Sequence, residues 1–519
     1  MRVEVLRDFP VSGKWADEWD ALAARSAAGD AFVTYEWTRA AAEFDRNGRP
    51  LVICGYVKAG GAEGNEERLV GIAPLALRTG RNLWGRSTVI ELVAGPWGDY
   101  CDVIAEPEYH TEFVERVVEN VAALTRQGTC AKVSLNNLPD DSPTLNVFIN
   151  KARALNLYVD VRPASVGPVL QIADADQAAL DELLEKKGVV RKAKALAKKG
   201  KLEFRIVREP AEVRECLQKF YRLHTARYLI NGRPSIYDPE KQSSLCRLLD
   251  PLAERLSRRG GVCLPALFFD GEPIALTLGF EHRGALALYA MTFDVGVMGT
   301  SPGEILVLEV ARHCRAAGMR KLDFGIGDEG YKARFTNAQR QNCEVAVYRS
   351  GPAGRAGSVL VKAKAWAKRQ PSLCQLIRRA KSFCQLARLE IERAGLVGAI
   401  TELLRAKPDI SLSENTSEIE LAELRPRHLV DTILTWRRDL PSWEFRRAYE
   451  LLRQGERCFI ARQNNRAIRI VCQSKTVPQK KEAVGNLTAA PVPNLVPEGR
   501  RTLAGDAITV TVATTNPEP

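Results

Sequence analysis

The sequence has no continuous stretch of about 18 apolar residues, the length that a membrane-spanning helix needs. It also lacks the apolar N-terminal segment of a secretory signal peptide, because charged residues interrupt the opening MRVEVLRDFP. That opening is typical of a β-strand instead. We therefore expect a soluble, cytosolic protein.

The sequence has no Cys-x-x-Cys motif and no Cys/His spacing suited to a metal site. Its 12 cysteines are scattered, and the closest two, Cys374 and Cys384, are ten residues apart. This spacing predicts small buried side chains in a reducing compartment rather than metal ligands. We expect no bound metal.

Acidic residues are missing from one long segment. Residues 351–389 contain nine Lys and Arg residues and no Asp or Glu, and they supply most of the formal net charge of +12. The rest of the chain is close to balance, which suits an enzyme better than a basic groove for nucleic acid. The composition of this segment favours a helix that packs against its own domain. The alternative is a helix that makes a peripheral contact with anionic lipid of the inner membrane.

Two passages of the sequence follow the same order of elements. Residues 51–79 predict two strands joined by a Gly-rich loop, and residues 113–135 then predict an amphipathic helix and a strand. Residues 262–293 predict three strands with turns at Asp270-Gly271 and Arg283-Gly284, and residues 301–324 again predict a helix and a strand. Two copies of one mixed α/β module explain this repeat.

The remaining segments are simpler. Residues 180–204 predict a helical run with its acids first and its bases last, which is either a solvated helix or a cationic arm near an anionic cofactor or substrate. Residues 418–473 predict a strand, two helices and a hairpin. Residues 474–519 are rich in Pro, Thr and Asn, so most of them are expected to be disordered.

The stretch DFGIGDEGYKARF (323–335) is the most unusual in composition. It fits the dinucleotide pattern G-x-G-x-x-G, but no apolar helix follows, and two acids in the loop would repel a pyrophosphate. It also contains the D-F-G of kinases, without the H-R-D loop or strand lysine that should accompany it. Its carboxylates could instead attract an amine or polyhydroxyl substrate while its cations supply a fixed positive field. The alternative is a surface turn whose charges pair with one another.

Four stretches together carry a resemblance to a known family: AFVTYEW (31–37), LHTARY (223–228), SPGEILVLEVARHCRAAG (301–318) and LDFGIGDEGYKARF (322–335). Their order resembles the CelD-like branch of the GNAT acyltransferase superfamily. That branch is related to the FemAB-type aminoacyl transferases and is associated with bacterial exopolysaccharide gene clusters. The resemblance extends over about residues 1–350.

The resemblance implies a mixed α/β fold of tandem GNAT-like modules. Residues 1–165 would form a degenerate first module and residues 166–350 the catalytic one. A basic helical linker (351–410), a partial third module (411–473) and a largely disordered tail (474–519) would follow.

The resemblance also implies the position of the active site. FemAB-type relatives carry an aromatic-Lys-x-x-Phe motif whose lysine stabilises negative charge in the reaction, and Tyr331 to Phe335 match it. This role passes to Lys332. His224 is the candidate proton relay, because histidine titrates near neutral pH, and Asp323 is a second proton acceptor. The candidates for substrate binding are Arg227, Asp328, Tyr331 and Arg334.

GNAT folds bind the pyrophosphate of CoA at a helix N-terminus, and MGTSPGE (298–304) occupies that place here. The expected cofactor-binding residues are Gly299, Thr300, Ser301 and Gly303. This loop departs from the usual Gln/Arg-x-x-Gly-x-Gly/Ala pattern, which leaves a donor other than acyl-CoA open.

The resulting prediction is a cytoplasmic acyltransferase that moves an acyl group from acyl-CoA, such as acetyl-CoA, to an amino sugar or a related glycan precursor. Two alternatives remain: a FemAB-type transferase that uses aminoacyl-tRNA, and a non-catalytic scaffold of a polysaccharide assembly. Nucleic acid is expected as a partner only under the first alternative.

Overall fold

The computed structural model describes residues 1–58, 67–82, 85–297, 299–327, 329–349, 420–463 and 466–473. The predicted basic linker, the predicted tail and Asp328 lie outside these ranges. The described residues form two compact units. The first contains those of 1–218, 245–291 and 303–349, and the second those of 219–244, 292–302 and 420–473.

The first half of the chain builds strands, then a helix, then a crossover strand. Its strands are β1 (Arg2–Leu6), β2 (Gly48–Lys58), β3 (Glu67–Asn82), β4 (Gly85–Leu92), β5 (Ile104–Ala105), β6 (Lys132–Pro139) and β7 (Tyr158–Gln171). Its helices are α1 (Gly13–Arg25), α2 (Tyr35–Phe44), α3 (His110–Arg126) and α4 (Pro143–Ala154).

The second half repeats this order. Its helices are α5 (Gln177–Leu184), α6 (Lys187–Ala197), α7 (Pro210–Ile230), α8 (Cys246–Ser257) and α9 (Pro302–Ala316). Its strands are β8 (Leu202–Val207), β9 (Val262–Phe269), β10 (Glu272–His282), β11 (Ala285–Phe293), β12 (Lys321–Asp323) and β13 (Ala338–Tyr348).

Local sequence explains several element ends in the second half. The turns Asp270-Gly271 and Arg283-Gly284 join β9 to β10 and β10 to β11, and φ lies between +49° and +85° at all four residues. Positive φ at both central residues is the geometry of a tight type I′ hairpin, so the predicted turns are confirmed. Helix α9 begins at Pro302, and Gly318, with φ +66°, follows its end.

The strands β1 to β13 form one mixed sheet in the order β1-β2-β3-β4-β6-β13-β7-β12-β11-β10-β9-β8, with β5 paired to β3. The parallel pairs are β4 with β6 and β11 with β12, and a helix connects each pair along the chain. The final strands are exchanged, because β7 of the first half pairs with β12 of the second and β13 pairs with β6. This mixed α/β architecture with a repeated order of elements confirms the predicted fold class.

The exchange ties the two halves together. Strands β7 and β13 pair antiparallel with each other from Val169↔Ala338 to Tyr158↔Tyr348. Each half therefore completes the hydrogen bonding of the other half's crossover strand. The hydrophobic core includes Trp19 on α1. Its side chain is fully buried and donates its indole N–H to Val33 O at 2.9 Å.

The helical run predicted over 180–204 is wrong as a single element. The structure breaks it into α5, α6 and β8. The guanidinium of Arg312 on α9 donates to Leu184 O at 2.9 and 3.1 Å, so a side chain distant in sequence caps the end of α5.

Residues 420–473 form the predicted strand, two helices and hairpin. The elements are β14 (Glu420–Leu424), α10 (Leu429–Trp436), α11 (Ser442–Arg453), β15 (Arg457–Gln463) and β16 (Arg466–Gln473), and the sheet order is β14-β15-β16. Helix α10 is connected to the rest of the second unit by two ion pairs, one between Asp431 and Arg222 and one between Arg437, which follows the helix, and Asp238. None of the helices in the described part of the chain is both long enough and apolar enough to span a membrane.

Candidate active site

The stretch after β12 is shaped by glycines at two tight positions. Gly325 has φ +66°, and a Cβ there would lie 2.5 Å from Asp99 Oδ2 and 2.7 Å from Leu288 O. Gly327 has φ +121° and donates its N–H to Val166 O at 2.9 Å. Glycine at these two positions lets a strand backbone and a carboxylate approach the loop closely. This requirement explains the two glycines without a dinucleotide-binding fold.

Lys332 is buried at the end of this stretch. It begins the 3-10 helix Lys332–Arg334, and its side chain is only 7% exposed. Its Nζ lies 2.8 Å from Glu329 Oε2 and donates to Ile326 O at 3.2 Å. Glu329 is exposed, so the ammonium is held at the boundary between the protein interior and solvent rather than in bulk water.

Asp323, at the end of β12, is 1% exposed. Its Oδ1 accepts from Tyr100 Oη at 2.9 Å and from the Gly325 N–H at 2.9 Å. Its Oδ2 has no hydrogen-bond donor among the described residues, and Lys321 Nζ is 3.8 Å away. Burial raises the pKa of this carboxyl, which Lys321 opposes.

Asp99 is a neighbour of the candidate site that the sequence prediction missed. It lies in the loop after β4, and its Oδ2 accepts from the Ile326 N–H at 3.3 Å. Burial raises the pKa of Asp99 to about 8; the Ile326 hydrogen bond lowers it, the Asp323 charge raises it and the Lys332 charge lowers it. A carboxyl with a pKa near the working pH can accept and return a proton.

The first half therefore contributes to the site through Asp99 and Tyr100. The Tyr100 ring lies under the Arg340 guanidinium, 4.6 Å from its Cζ, and Arg340 pairs with both carboxylate oxygens of Asp30 at 2.8 and 2.9 Å. Gly167 permits the tyrosine, since a Cβ there would lie 1.9 Å from its hydroxyl. This packing fixes the hydroxyl that orients Asp323.

Two cationic side chains lie beside the first turn of α9. Glu304 pairs with Lys192 of α6 at 2.9 Å and forms a short ion pair with Arg334. Gly303 is buried in the same turn. The Glu304 carboxylate is the anion that these two cations hold beside the helix N-terminus, and a phosphate bound there would compete with it for both.

The loop before α9 contains the other predicted cofactor residues. Gly299 has φ +74° and its Cβ position faces open space, and Ser301 has φ +53°. Thr300 donates its hydroxyl to Val297 O at 3.2 Å. Left-handed residues in such a loop can turn backbone N–H groups toward one concavity, which is suited to an anion.

His224 and Arg227 belong to the second unit. His224 Nδ1 is 2.9 Å from Ser235 Oγ, and the ring stacks on Tyr228 at 4.1 Å. Burial, with a smaller effect of the Arg227 charge, lowers the pKa of His224 to about 3. A ring that stays neutral accepts a proton poorly, so this environment favours a structural role, and the predicted relay stays a prediction.

The remaining predicted residues have simpler surroundings. Arg227 is half-buried with its Cζ 4.6 Å from the centre of the Phe293 ring. Tyr331 is half-buried before the 3-10 helix, and Arg334 is exposed and paired with Glu304. Their substrate-binding roles stay predictions, as does that of Asp328.

Two other features bear on the site. A surface cleft of about 460 Å³ is lined by Asp181, Leu184, Glu185, Arg312, Arg315 and Ala316, and none of the predicted site residues lines it. Within the part of the chain that the structure describes, no group of three or more His, Cys, Asp or Glu residues could hold a metal ion.

Comparison with known proteins gives one match to a family. Residues 169–333, less than half of the chain, match the model of the acetyltransferase (GNAT) domain. The matched segment includes Asp323 and ends one residue after Lys332. No curated protein matches the sequence.

Several solved structures are similar in fold. FemX shares 12% identity, with 65% of this chain and 96% of that chain covered and a TM-score of 0.44. L-PGS from Bacillus licheniformis shares 11%, with 69% and 97% covered and a TM-score of 0.40. A tandem GNAT protein from the clavulanic acid biosynthesis pathway shares 13%, with 68% and 99% covered and a TM-score of 0.36. Likenesses at this level assign neither an activity nor a substrate.

Proposed function

We propose that this protein is an acyltransferase that moves an acyl group from acyl-CoA to an amino group of a sugar or of a surface-polymer precursor. The observation that carries the proposal is the enclosed ammonium of Lys332, inside a segment that matches the acetyltransferase (GNAT) domain. The acceptor class rests on the resemblance to the CelD-like branch, which also suggests a role in exopolysaccharide biosynthesis in the cytoplasm.

Lys332 supplies positive charge at a fixed position. Transfer of an acyl group to an amine passes through an oxyanion, and a preorganised cation in a water-poor site stabilises it. Glu329 and the Ile326 carbonyl hold the ammonium before the substrate arrives. Little reorganisation is then needed during the reaction.

Asp99 is the group best suited to take the proton that the amine loses. Its pKa of about 8 makes it a stronger base than an exposed carboxylate, and a fraction of it is ionised at neutral pH. Asp323 and Tyr100 act as positioning residues, since their hydrogen bond fixes the start of the loop that holds Ile326. Asp323 stays a second candidate for accepting this proton.

The residues at the start of α9 fit the phosphates of acyl-CoA. Gly303 offers a backbone N–H at the helix start, and Lys192 and Arg334 would contact the phosphates in exchange for their ion pairs with Glu304. Gly299, Thr300 and Ser301 are the candidate residues of the preceding loop. When bound, the cofactor supplies a reactive thioester.

Acyl-CoA turnover is the direct test of the proposal. Purified protein is incubated with acetyl-CoA and longer acyl-CoAs together with amino sugars, and CoA release and acylated product are followed by mass spectrometry. We expect product that needs no RNA and survives nuclease treatment. Product formed only with aminoacyl-tRNA would replace the proposal with the FemAB-type alternative, and absence of both binding and turnover would favour the scaffold.

A further inference from the structure

Two cysteines of the C-terminal sheet face each other. Cys458 on β15 and Cys472 on β16 are direct partners in the antiparallel register. Their Sγ atoms are 2.6 Å apart, compared with about 2.05 Å in a disulfide bond. Directly opposite residues in such a pair have Cα atoms about 4.5 to 5.5 Å apart, which is within the range that a disulfide requires. Both thiols are free in this structure.

The surroundings of the two thiols differ. Cys458 is fully buried, whereas Cys472 is partly exposed. The Cys458 thiol donates a hydrogen bond to Cys472, which lowers the pKa of Cys472, and the charge of Arg447 acts in the same direction. The same hydrogen bond and burial raise the pKa of Cys458. Cys472 is therefore the sulfur that an oxidant reaches first and as the more reactive thiolate.

We propose that Cys458 and Cys472 are a reversible redox pair that closes into a cross-strand disulfide on exchange with a low-molecular-weight disulfide. The Cys472 thiolate attacks one sulfur of the small disulfide and releases one small thiolate. The released small thiolate then takes the proton of Cys458, and the Cys458 sulfur attacks the Cys472 sulfur of the mixed disulfide, which releases the second small thiolate. In total, two protein thiols are oxidised and one small disulfide is reduced to two thiols.

The fold favours closure over simple capping of Cys472. Antiparallel pairing already holds the second sulfur beside the first, so little chain entropy is lost when the bond forms. Closure replaces the hydrogen bond between the two thiols and gives up a weak 3.9 Å contact of Cys458 Sγ with Ala448 O. The inference does not depend on the proposed acyl transfer.

Peptide mapping of the full-length protein tests the redox pair. The protein is equilibrated with oxidised glutathione, remaining thiols are alkylated, and the chain is digested with trypsin. Closure joins CFIAR (residues 458–462) to IVCQSK (residues 470–475), with a mass two hydrogens below the sum of the two peptides. We expect this pair to become the main form of both peptides and to disappear after treatment with dithiothreitol.

Two variants serve as controls. Cys472→Ser should abolish the linked pair. Cys130→Ser should leave its yield unchanged, because Cys130 belongs to the first unit and its contact is the Thr125 hydroxyl, whereas the pair belongs to the second. The proposal is overturned if wild-type protein keeps both peptides as alkylated thiols, or if glutathione accumulates on Cys472 without closure. The wild-type result alone decides the matter if a variant fails to fold.

Discussion

Asp99 is expected to make the stability of the protein depend on pH. Folding raises the pKa of this carboxyl from an ordinary value of 3.8 to about 8. The folded state then binds the proton more tightly than the unfolded state, so the free energy of unfolding falls as pH rises between about 4 and 8. At about 1.4 kcal/mol per pKa unit, this difference should lower the free energy of unfolding of the wild-type protein by about 2 kcal/mol between pH 6 and pH 8.

The variant Asp99→Asn removes this cost because an amide of the same shape does not ionise. The free energy of unfolding is measured by urea denaturation at pH 6 and pH 8. We expect its decrease between these pH values to be about 2 kcal/mol smaller in Asp99→Asn than in wild type. Asp17→Asn makes the same chemical change at an exposed position of α1 and is the control for the substitution itself. Equal pH slopes for wild type and Asp99→Asn would refute the burial argument.

Two further predictions concern neighbouring features. The His224 ring should stay neutral, so its NMR signals should not titrate between pH 5 and pH 8, since its pKa is lowered to about 3; a midpoint near 6.5 would contradict its burial. Gly325→Ala should destabilise the first unit by about 2 kcal/mol or more, because the added Cβ meets the Leu288 carbonyl at 2.7 Å and the left-handed backbone is strained. Thermal unfolding measures this loss, with Gly128→Ala as a control that shares a positive φ but has open space around it.

Much of the fold could be predicted because its signals are local. The turn at Asp270-Gly271 depends on residues that tolerate positive φ, and the start of α9 depends on Pro302. The repeated order of strands, helix and crossover strand is likewise written in hydrophobic periodicity. These features depend on neighbours within a few residues.

The exchange of β7 and β13 could not be predicted in this way. Each strand finds its crossover partner in the other half of the chain, β12 for β7 and β6 for β13, so no local pattern indicates the pairing. The break between α5 and α6 has a similar origin, because the cap of α5 comes from Arg312. No pattern within 180–204 indicates that partner.

The candidate site was partly predictable. Lys332 and Asp323 stand in a conspicuous stretch, and the partners of Lys332 are local, but Asp323 accepts from Tyr100 and Ile326 donates to Asp99, more than 200 positions earlier. The segment GPWGDYCD (95–102) offers only a weak signal, two glycines and two acids after a strand. For His224 the sequence did carry a local signal, since Phe220 and Tyr228 stand four residues before and after it on the same helix and contact its ring. The contact with Tyr237 has no such local signal.

Acyl transfer by Lys332→Ala, measured beside wild type, tests most directly whether the Lys332 ammonium takes part in the reaction. Lys201→Ala is the control for loss of an exposed lysine. We expect the turnover number of Lys332→Ala to fall about 10² to 10³-fold while acyl-CoA binding, measured by calorimetry, is retained. Lys201→Ala should match wild type in both measurements. Turnover by Lys332→Ala equal to that of wild type would contradict the central claim that this enclosed ammonium stabilises the reaction.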